Sequence, residues 1–312
     1  MSSQVFRIGS RGSHLAKAMV AEVVEPLQRA RPDITWKQHT VMTTGDKDRK
    51  SSLADLGRST TSVFASALED ALLSGEIDVA VHSLKDLATT PTAGTRLAAL
   101  PTREDPRDAL CGSTLTGLPE GARIGTGSPR RIAQLLAERP DVSTTPIRGN
   151  VPPRLRKARE LGLAGVILAA AGLQRLGLGE EITEALDPNT FPPSPAQGVI
   201  AVQVRETDTH LCELLAPLHD PATAAEATAE RALLAELHGG CSVPVGALAR
   251  AEGDRLRLIA QVTSLDGTHV VRTDHTGSLA EPVDLGKRAA FALLDQGAER
   301  ILSQIRDTPT TP

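Results

Sequence analysis

Short apolar runs alternate with amphipathic stretches over the first two hundred residues, so strands and helices are predicted in turn. Val5 to Gly9 predicts a strand that feeds Ser10-Arg11-Gly12-Ser13 and a helix through Val24, with Ser13 as its cap. Ile34 to Thr43 predicts a second strand and residues 62–73 a helix. Ile77 to Val81 predicts a third strand, ending in His82-Ser83-Leu84-Lys85-Asp86. Pro101 to Asp108 is poor in apolar residues and predicts a linker. The rhythm then restarts with strands at Ala109 to Cys111, Ile124, Ser143 to Ile147 and Gly165 to Ala171. Between them, Ile132, Leu135 and Leu136 recur at helical spacing behind Ser128-Pro129, a capping residue and a proline at the first helical position. Another helix opens at Val151. Pro192 to Pro195 predicts a second linker, after which Val199 to Val204 is placed as a strand returning to the first sheet.

The pattern changes after Pro221. Ala222 to His238 predicts a long helix, and Val245 to Ala249, Leu256 to Val262 and His269 to Thr273 predict a meander of short strands. A closing helix is expected from Val283 to Gln304. The fold class expected is α/β in three domains. Residues 1–101 with 196–217 form the first, 102–195 the second, and 218–312 a small α+β third. Alternating strands and helices imply parallel sheets, whose ligands bind at the carboxyl ends of the strands. Two such halves joined by two linkers imply a hinged cleft.

Composition narrows the function. There are 34 Lys and Arg against 38 Asp and Glu, no Tyr, one Trp and four Phe. Neither a basic field nor a set of stacking rings is present, so nucleic acid is not an expected partner. Cys111, Cys212 and Cys241 are far apart and predict neither a disulfide framework nor a cysteine zinc site. No apolar run approaches the length of a membrane span, and the N-terminus lacks a signal pattern. A cytoplasmic, non-membrane protein is expected.

The candidate chemistry lies at the predicted strand ends. Gly125-x-Gly127 is half of a dinucleotide motif, but Arg130 replaces the third glycine and no acidic residue follows at the right distance. A helix N-terminus with two adjacent arginines, Arg130 and Arg131, is instead an anion-gripping turn. Either arginine alone could be a solvated helix residue. Arg11, Arg148, Arg154 and Arg175 stand at further turns, and the set together fits a ligand with several carboxylates or phosphates. Lys85-Asp86 is either a surface ion pair or, among these arginines, a carboxylate placed to stabilise a developing cation or carry a proton. His82 is expected to be structural. Cys241, flanked by Gly239 and Gly240, is either a small buried side chain or a thiol on an exposed turn able to carry a covalent attachment.

These residues stand in motifs that resemble one family along essentially the whole chain. The motifs are Arg11-x-Ser13-x-Leu15-Ala16, Val81 to Asp86, Arg103 to Asp108, Ile124 to Arg131 and Arg148-Gly149-Asn150-Val151. Ala171 to Gly177, Gln197-Gly198, Ala229-Glu230-Arg231 and Gly239-Gly240-Cys241 complete the set. The sequence resembles the porphobilinogen deaminases, also called hydroxymethylbilane synthases. The resemblance implies two lobes like those of type II periplasmic binding proteins and a small third domain. It implies a dipyrromethane cofactor bound through Cys241, and a transferase that deaminates porphobilinogen and couples four units head to tail before releasing the linear tetrapyrrole. Asp86 is then the catalytic carboxylate, facing the electrophilic cation left when ammonia departs. Lys85, Ser13, Thr126, Ser128, Arg130 and Arg131 are implied to hold the cofactor. Arg11, Arg148, Arg154, Arg175 and Gln197 are implied to hold substrate carboxylates. Neither metal nor nucleotide is needed, and a monomer is expected.

The sequence departs from the family pattern at Met19, Thr44, Gly127, Pro129 and Pro153, and in the lid segment Gly57 to Phe64. These changes cluster near the expected cleft, which leaves a specialised paralogue with altered substrate, chain length or product as an alternative. A non-catalytic two-lobed binder of small anions is a third reading, opposed by Asp86 and Cys241.

Overall fold

Two five-stranded sheets carry the first two thirds of the chain, and each is built in the same spatial order. The computed structural model describes residues 4–42, 66–238 and 243–307. The first sheet begins with β1 (Gln4–Ser10), whose Ile8, Gly9 and Ser10 turn inward. After helix α1 (His14–Ala30), β2 (Ile34–Thr40) lies parallel to β1. Helix α2 (Ser66–Leu73) then leads to β3 (Val79–Ser83), parallel to β1 on its other side. A second, later pair of strands completes the sheet. β4 (Thr95–Ala99) takes the outer edge, and β10 (Ile200–Arg205) inserts antiparallel between β3 and β4.

The second sheet repeats this plan. β5 (Asp108–Cys111) enters antiparallel to β8, β6 (Arg123–Gly125) and β7 (Ser143–Thr145) pair in parallel, and β8 (Gly165–Ala169) lies beside β6. The two-residue β9 (Glu184–Ala185) closes its edge. Helices α3 (Pro129–Glu138), α4 (Val151–Glu160) and α5 (Ala170–Arg175) follow β6, β7 and β8. Gly125 ends β6 where an added Cβ would lie 2.5 Å from Cδ1 of Ile147, so glycine lets Ile147 pack closely over the end of β6.

The expectation of purely parallel sheets is corrected: β10 and β5 each run against their neighbours. Hydrophobicity marks a buried strand but carries no direction, and a strand arriving over a linker rather than a helical crossover is free to enter antiparallel. The return of the 199–204 segment to the first sheet is seen as expected.

Helix α6 (Thr209–Leu215) covers the first sheet, and helix α7 (Pro221–Glu236) opens the third unit. Asp220 caps α7 by accepting from the Thr223 N–H at 2.7 Å. The meander β11 (Val245–Glu252), β12 (Arg255–Thr263) and β13 (Val270–Ser278) packs against α7 and α8 (Pro282–Asp295). The expected single closing helix is two, α8 and α9 (Ala298–Asp307). Gly297 between them has φ +97, a conformation that ends a helix cheaply only at glycine.

The two crossings between the lobes touch each other. The Glu104 N–H donates to the Gly198 carbonyl at 3.3 Å, and Arg103 Nε to the Gln197 carbonyl at 2.9 Å. Gly198 has φ +89, and a Cβ there would collide with the Glu104 carbonyl oxygen. Ala196, two residues earlier, holds φ 61. This crossing is therefore strained at Ala196, needs glycine at 198, and is held by its surroundings.

Candidate active site

The parallel strands β1, β3, β6, β7 and β8 all deliver their carboxyl ends to polar turns, and these turns carry the side chains singled out above. Behind β1, Ser13 caps α1 by accepting from the Ala16 N–H at 3.1 Å, and Arg11 is half-buried before it. Behind β3, one short 3-10 turn, Leu84–Asp86, holds Lys85 and Asp86. Behind β6 come Thr126, Ser128, Arg130 and Arg131. Arg148 and Arg154 follow β7, and Arg175 ends the helix after β8.

One carboxylate joins these turns. Asp108, at the start of β5, is wholly buried. It accepts from Arg130 Nη1 at 2.6 Å, from Arg131 Nη2 at 2.7 Å and Nε at 3.0 Å, and from Gln197 Nε2 at 2.9 Å. Burial pushes its pKa up, but the two guanidinium groups overcome that and hold it far below the usual carboxylate range. Gln197 is also buried, and its Oε1 accepts from Lys85 Nζ at 3.1 Å. A continuous chain of hydrogen bonds therefore crosses from the Lys85 turn of the first lobe to the arginine helix of the second. Burial pushes the Lys85 ammonium down to about 8, with Arg131 and Arg130 adding to the shift against the opposing pull of Asp86 and Asp108.

Among the described residues cations outnumber anions here: Lys85, Arg130, Arg131, Arg148 and Arg154 stand with Asp86 and Asp108 in the network that shifts Lys85 and Arg154. Arg148 Nη1 is buried without a hydrogen-bond partner. Arg154 donates Nε to the Gly149 carbonyl at 2.6 Å, and burial together with Arg131 and Arg148 pushes its pKa down to about 10. A buried guanidinium nitrogen lacking an acceptor, beside a second one depressed by like charge, is a place where carboxylates are strongly favoured. Among the described residues nothing donates a hydrogen bond to Asp86, so its carboxylate remains available to a cation or to pyrrole N–H groups.

Several expected site residues are committed differently from the sequence reading. At the helix end Ser128-Pro129, two main-chain N–H groups are already committed within the protein. The Ser128 N–H donates to Thr126 Oγ1 at 3.3 Å, the Thr126 N–H to the Thr145 carbonyl at 3.0 Å, and Pro129 has no N–H to offer. Ser128 occupies the cap position without a side-chain capping bond. Arg130 and Arg131 are turned inward onto Asp108 rather than standing free, and Arg130 also donates to the Gln134 side chain and the Pro192 carbonyl. Arg175, with 7% of its side chain exposed, pairs with Glu22 of α1 at 2.8 Å and donates to the Gly198 carbonyl at 3.0 Å. It latches the lobes together. His82 is buried and burial pushes its pKa to about 4, in keeping with a structural role. The thiol of buried Cys111 is pushed up to about 11, and Cys212 is half-buried. Thr44, the segment Gly57 to Phe64 and Cys241 lie outside the described residues.

Asp108, Arg103 and Glu230 carry roles that their motifs alone do not predict. Arg103 meets Glu230 at 2.7 Å and Glu226 at 3.4 Å, and Glu230 also accepts from the N–H groups of Ala196 and Ala249 at 2.5 and 2.7 Å. This buried group ties the strained crossing to α7 and β11. The available signal was charge balance, since two adjacent arginines beside a buried strand demand a buried counter-charge and β5 begins with Asp108.

Among the described residues no group of His, Cys, Asp and Glu could hold a metal ion, and no helix is long and apolar enough to cross a membrane. Residues 6–213 match the family model described as porphobilinogen deaminase, dipyromethane cofactor binding domain, and residues 224–295 match the porphobilinogen deaminase C-terminal domain. The chain is 46% identical over 302 residues to a porphobilinogen deaminase of Roseiflexus castenholzii, spanning 95% of this chain and 98% of that one. It is 45% identical over 302 residues to that of Carboxydothermus hydrogenoformans, spanning 96% of each. Among solved structures, the periplasmic binding protein STM4351 of Salmonella typhimurium aligns over 71% of this chain and 94% of its own, at 12% identity and a TM-score of 0.38. On the strength of both family models and full-length relatives, the chain belongs to the porphobilinogen deaminase family.

Proposed function

We propose that this chain is a hydroxymethylbilane synthase-type transferase, which deaminates porphobilinogen and couples four units head to tail, with release of linear hydroxymethylbilane by hydrolysis. The observation that carries the reading is the excess of cations around Asp86, above all the unpartnered buried Nη1 of Arg148 beside Arg154. Each pyrrole of this substrate class brings two carboxylates, and a chain of them needs such a set.

The dipyrromethane group, when bound, supplies the primer, a pyrrole carbon nucleophilic enough to be alkylated. The residues present fit it, since the cation excess would be neutralised by its carboxylates. Lys85 and Arg131 would hold those carboxylates, Arg148 and Arg154 would hold those of the incoming porphobilinogen, and Thr126, Ser128 and Ser13 would add hydroxyl hydrogen bonds. Cys241 is the proposed thioether anchor. Arg130, locked on Asp108, fixes the orientation of Arg131. Gln197 orients Lys85, and Arg175 holds the lobes in register, so these two act on ligand binding through their neighbours. Arg11 stands at the β1 end to receive a further carboxylate.

Asp86 does the charge work. The carbon–nitrogen bond of the aminomethyl group breaks with its electrons leaving on ammonia, and the pyrrole carries the positive charge. A carboxylate beside that pyrrole stabilises the developing cation and accepts its N–H. A carbon–carbon bond then forms to the terminal pyrrole. Coupling releases one proton, which leaves with the departing ammonia as ammonium, so charge balances. Asp86 is the group proposed to relay it.

The described departures from the family pattern leave this set in place. Met19 is packed in the apolar core of the first lobe, and Pro129 and Pro153 sit in the first turns of α3 and α4, where proline is tolerated. A cytoplasmic monomer is part of the same reading. Intact mass tests it: the purified protein should carry an addition of two linked pyrrole units that is lost in Cys241→Ser. An unmodified mass together with no ammonia from porphobilinogen would refute it.

A further inference from the structure

We propose that Arg231 is a positioning residue for the reaction, holding the Lys85–Asp86 turn from behind through its main-chain carbonyls; this rests on Asp86 being the catalytic carboxylate. Arg231 extends from α7 and donates Nη1 to the Leu87 carbonyl at 3.1 Å and Nη2 to the Ala88 carbonyl at 2.5 Å, with a longer contact from Nη1 to the Leu84 carbonyl at 3.4 Å. One turn earlier on the same helix, Ala227 packs against Leu84 and Leu87. The turn has little of its own to fix it. It is one 3-10 turn closed by a single internal bond, Leu87 N–H to the Leu84 carbonyl at 3.1 Å, and entered through the Leu84 N–H to the Val199 carbonyl at 2.9 Å.

No described group hydrogen-bonds the Asp86 carboxylate, so its direction is inherited from the main chain. The Leu87 and Ala88 carbonyls at the end of the turn have no partner inside it, and the guanidinium fork satisfies both at a fixed angle. An ammonium cannot reproduce that planar geometry. The rest of α7 is fixed independently. Glu226 and Glu230, on its other face, hold the lobe crossing and β11, so Arg231 projects from a helix already anchored to both. A helix of the third unit thereby sets the aim of a carboxylate in the first lobe.

The test is a double-mutant cycle between Arg231→Lys and Asp86→Glu, measured on cofactor-loaded protein. A displacement of about 1 Å at a reacting group costs on the order of 100-fold in rate. We expect kcat of Arg231→Lys to fall roughly 10- to 100-fold on that basis, with KM for porphobilinogen unchanged. The combined variant should lose much less than the product of the single losses, because both changes misplace one carboxylate. Amide hydrogen exchange of residues 84–88 should quicken in Arg231→Lys while that of β3 does not. Multiplicative losses, a change confined to KM, or unaltered exchange in the turn would overturn the proposal. Arg231→Gln serves the same cycle should the lysine variant not fold, and failure of both to fold would assign Arg231 to the fold alone. Wild-type turnover in Asp86→Glu and Asp86→Asn would instead sink the catalytic reading of Asp86, a result separable from any at Arg231.

Discussion

Asp108 is the point at which one substitution tests the whole electrostatic arrangement. Asp108→Asn keeps the side-chain shape and removes the charge that two buried arginines share. The native carboxylate accepts three bonds from Arg130 and Arg131 between 2.6 and 3.0 Å, and a fourth from Gln197. Asparagine offers one acceptor oxygen where there were two, and turns an NH2 donor toward donors. Removing one partner of a buried ion pair costs roughly 3–5 kcal/mol, because the remaining charge stays buried without compensation. For a lobe of roughly 100 residues that corresponds to a fall in melting midpoint of roughly 12–40 °C.

The same variant carries a pH signature. The folded-state pKa of Asp108 lies below its unfolded value, so its stabilisation is present above the unfolded pKa of about 3.9 and is lost as pH falls toward the folded pKa. Asp108→Asn should therefore be less stable than wild type at neutral pH and should lose the part of the acid-unfolding slope that Asp108 supplies. Thermal unfolding followed by circular dichroism from pH 3 to 8 measures both effects. A midpoint within about 2 °C of wild type at pH 7, which is under ~1 kcal/mol, would refute the reasoning that Asp108 neutralises this pair.

Four further outcomes follow from the same geometry. Arg148→Gln and Arg154→Gln each remove one charge-assisted donor worth about 1.5–3 kcal/mol. Each should raise KM for porphobilinogen roughly 10- to 100-fold with a smaller effect on kcat, and steady-state kinetics with unchanged KM would contradict their assignment. Lys85, held at about 8 by burial, should lose its charge and its grip on the cofactor carboxylates above that pH, so kcat/KM should fall on the alkaline side; Lys85→Arg should abolish that limb. The same depressed pKa makes the Lys85 contribution to stability rise between about pH 8 and its unfolded value near 10.4, because the unfolded chain binds the extra proton over that window. Gly198→Ala forces a side chain into φ +89 and onto the Glu104 carbonyl, a cost of about 1–3 kcal/mol for the backbone conformation alone, readable as a lower melting midpoint.

The sequence conveyed the parts of the fold that hydrophobic periodicity encodes. The β1–α1–β2 unit and the β6–α3 turn lie where the apolar spacing places them, and β10 rejoins the first sheet. Thr95–Ala99 went unseen because it is short, its apolar residues do not alternate, and its place in the sheet depends on β10, more than a hundred residues away. The break between α8 and α9 rests on one glycine in a run otherwise helical in pattern.

At the site, the residue types were legible and their partners were not. Arginines at strand ends declare an anion, but whether that anion is a ligand or an internal carboxylate depends on pairing across the fold. Asp108 takes Arg130 and Arg131, Glu22 takes Arg175, and Arg148 is left with an unpartnered nitrogen. Spacing along the chain holds no record of those distances, since the partners are 22 to 153 residues apart.

The central claim is that Asp86, lying among this excess of cations, makes loss of ammonia from porphobilinogen possible. It is tested most directly by ammonia release from porphobilinogen, measured with equal amounts of folded wild-type protein and Asp86→Asn. Asparagine keeps the volume and removes the charge, so the account predicts steady release by the wild type and near-complete loss in the variant, with an unchanged melting midpoint. Release by Asp86→Asn at a rate close to wild type would contradict it.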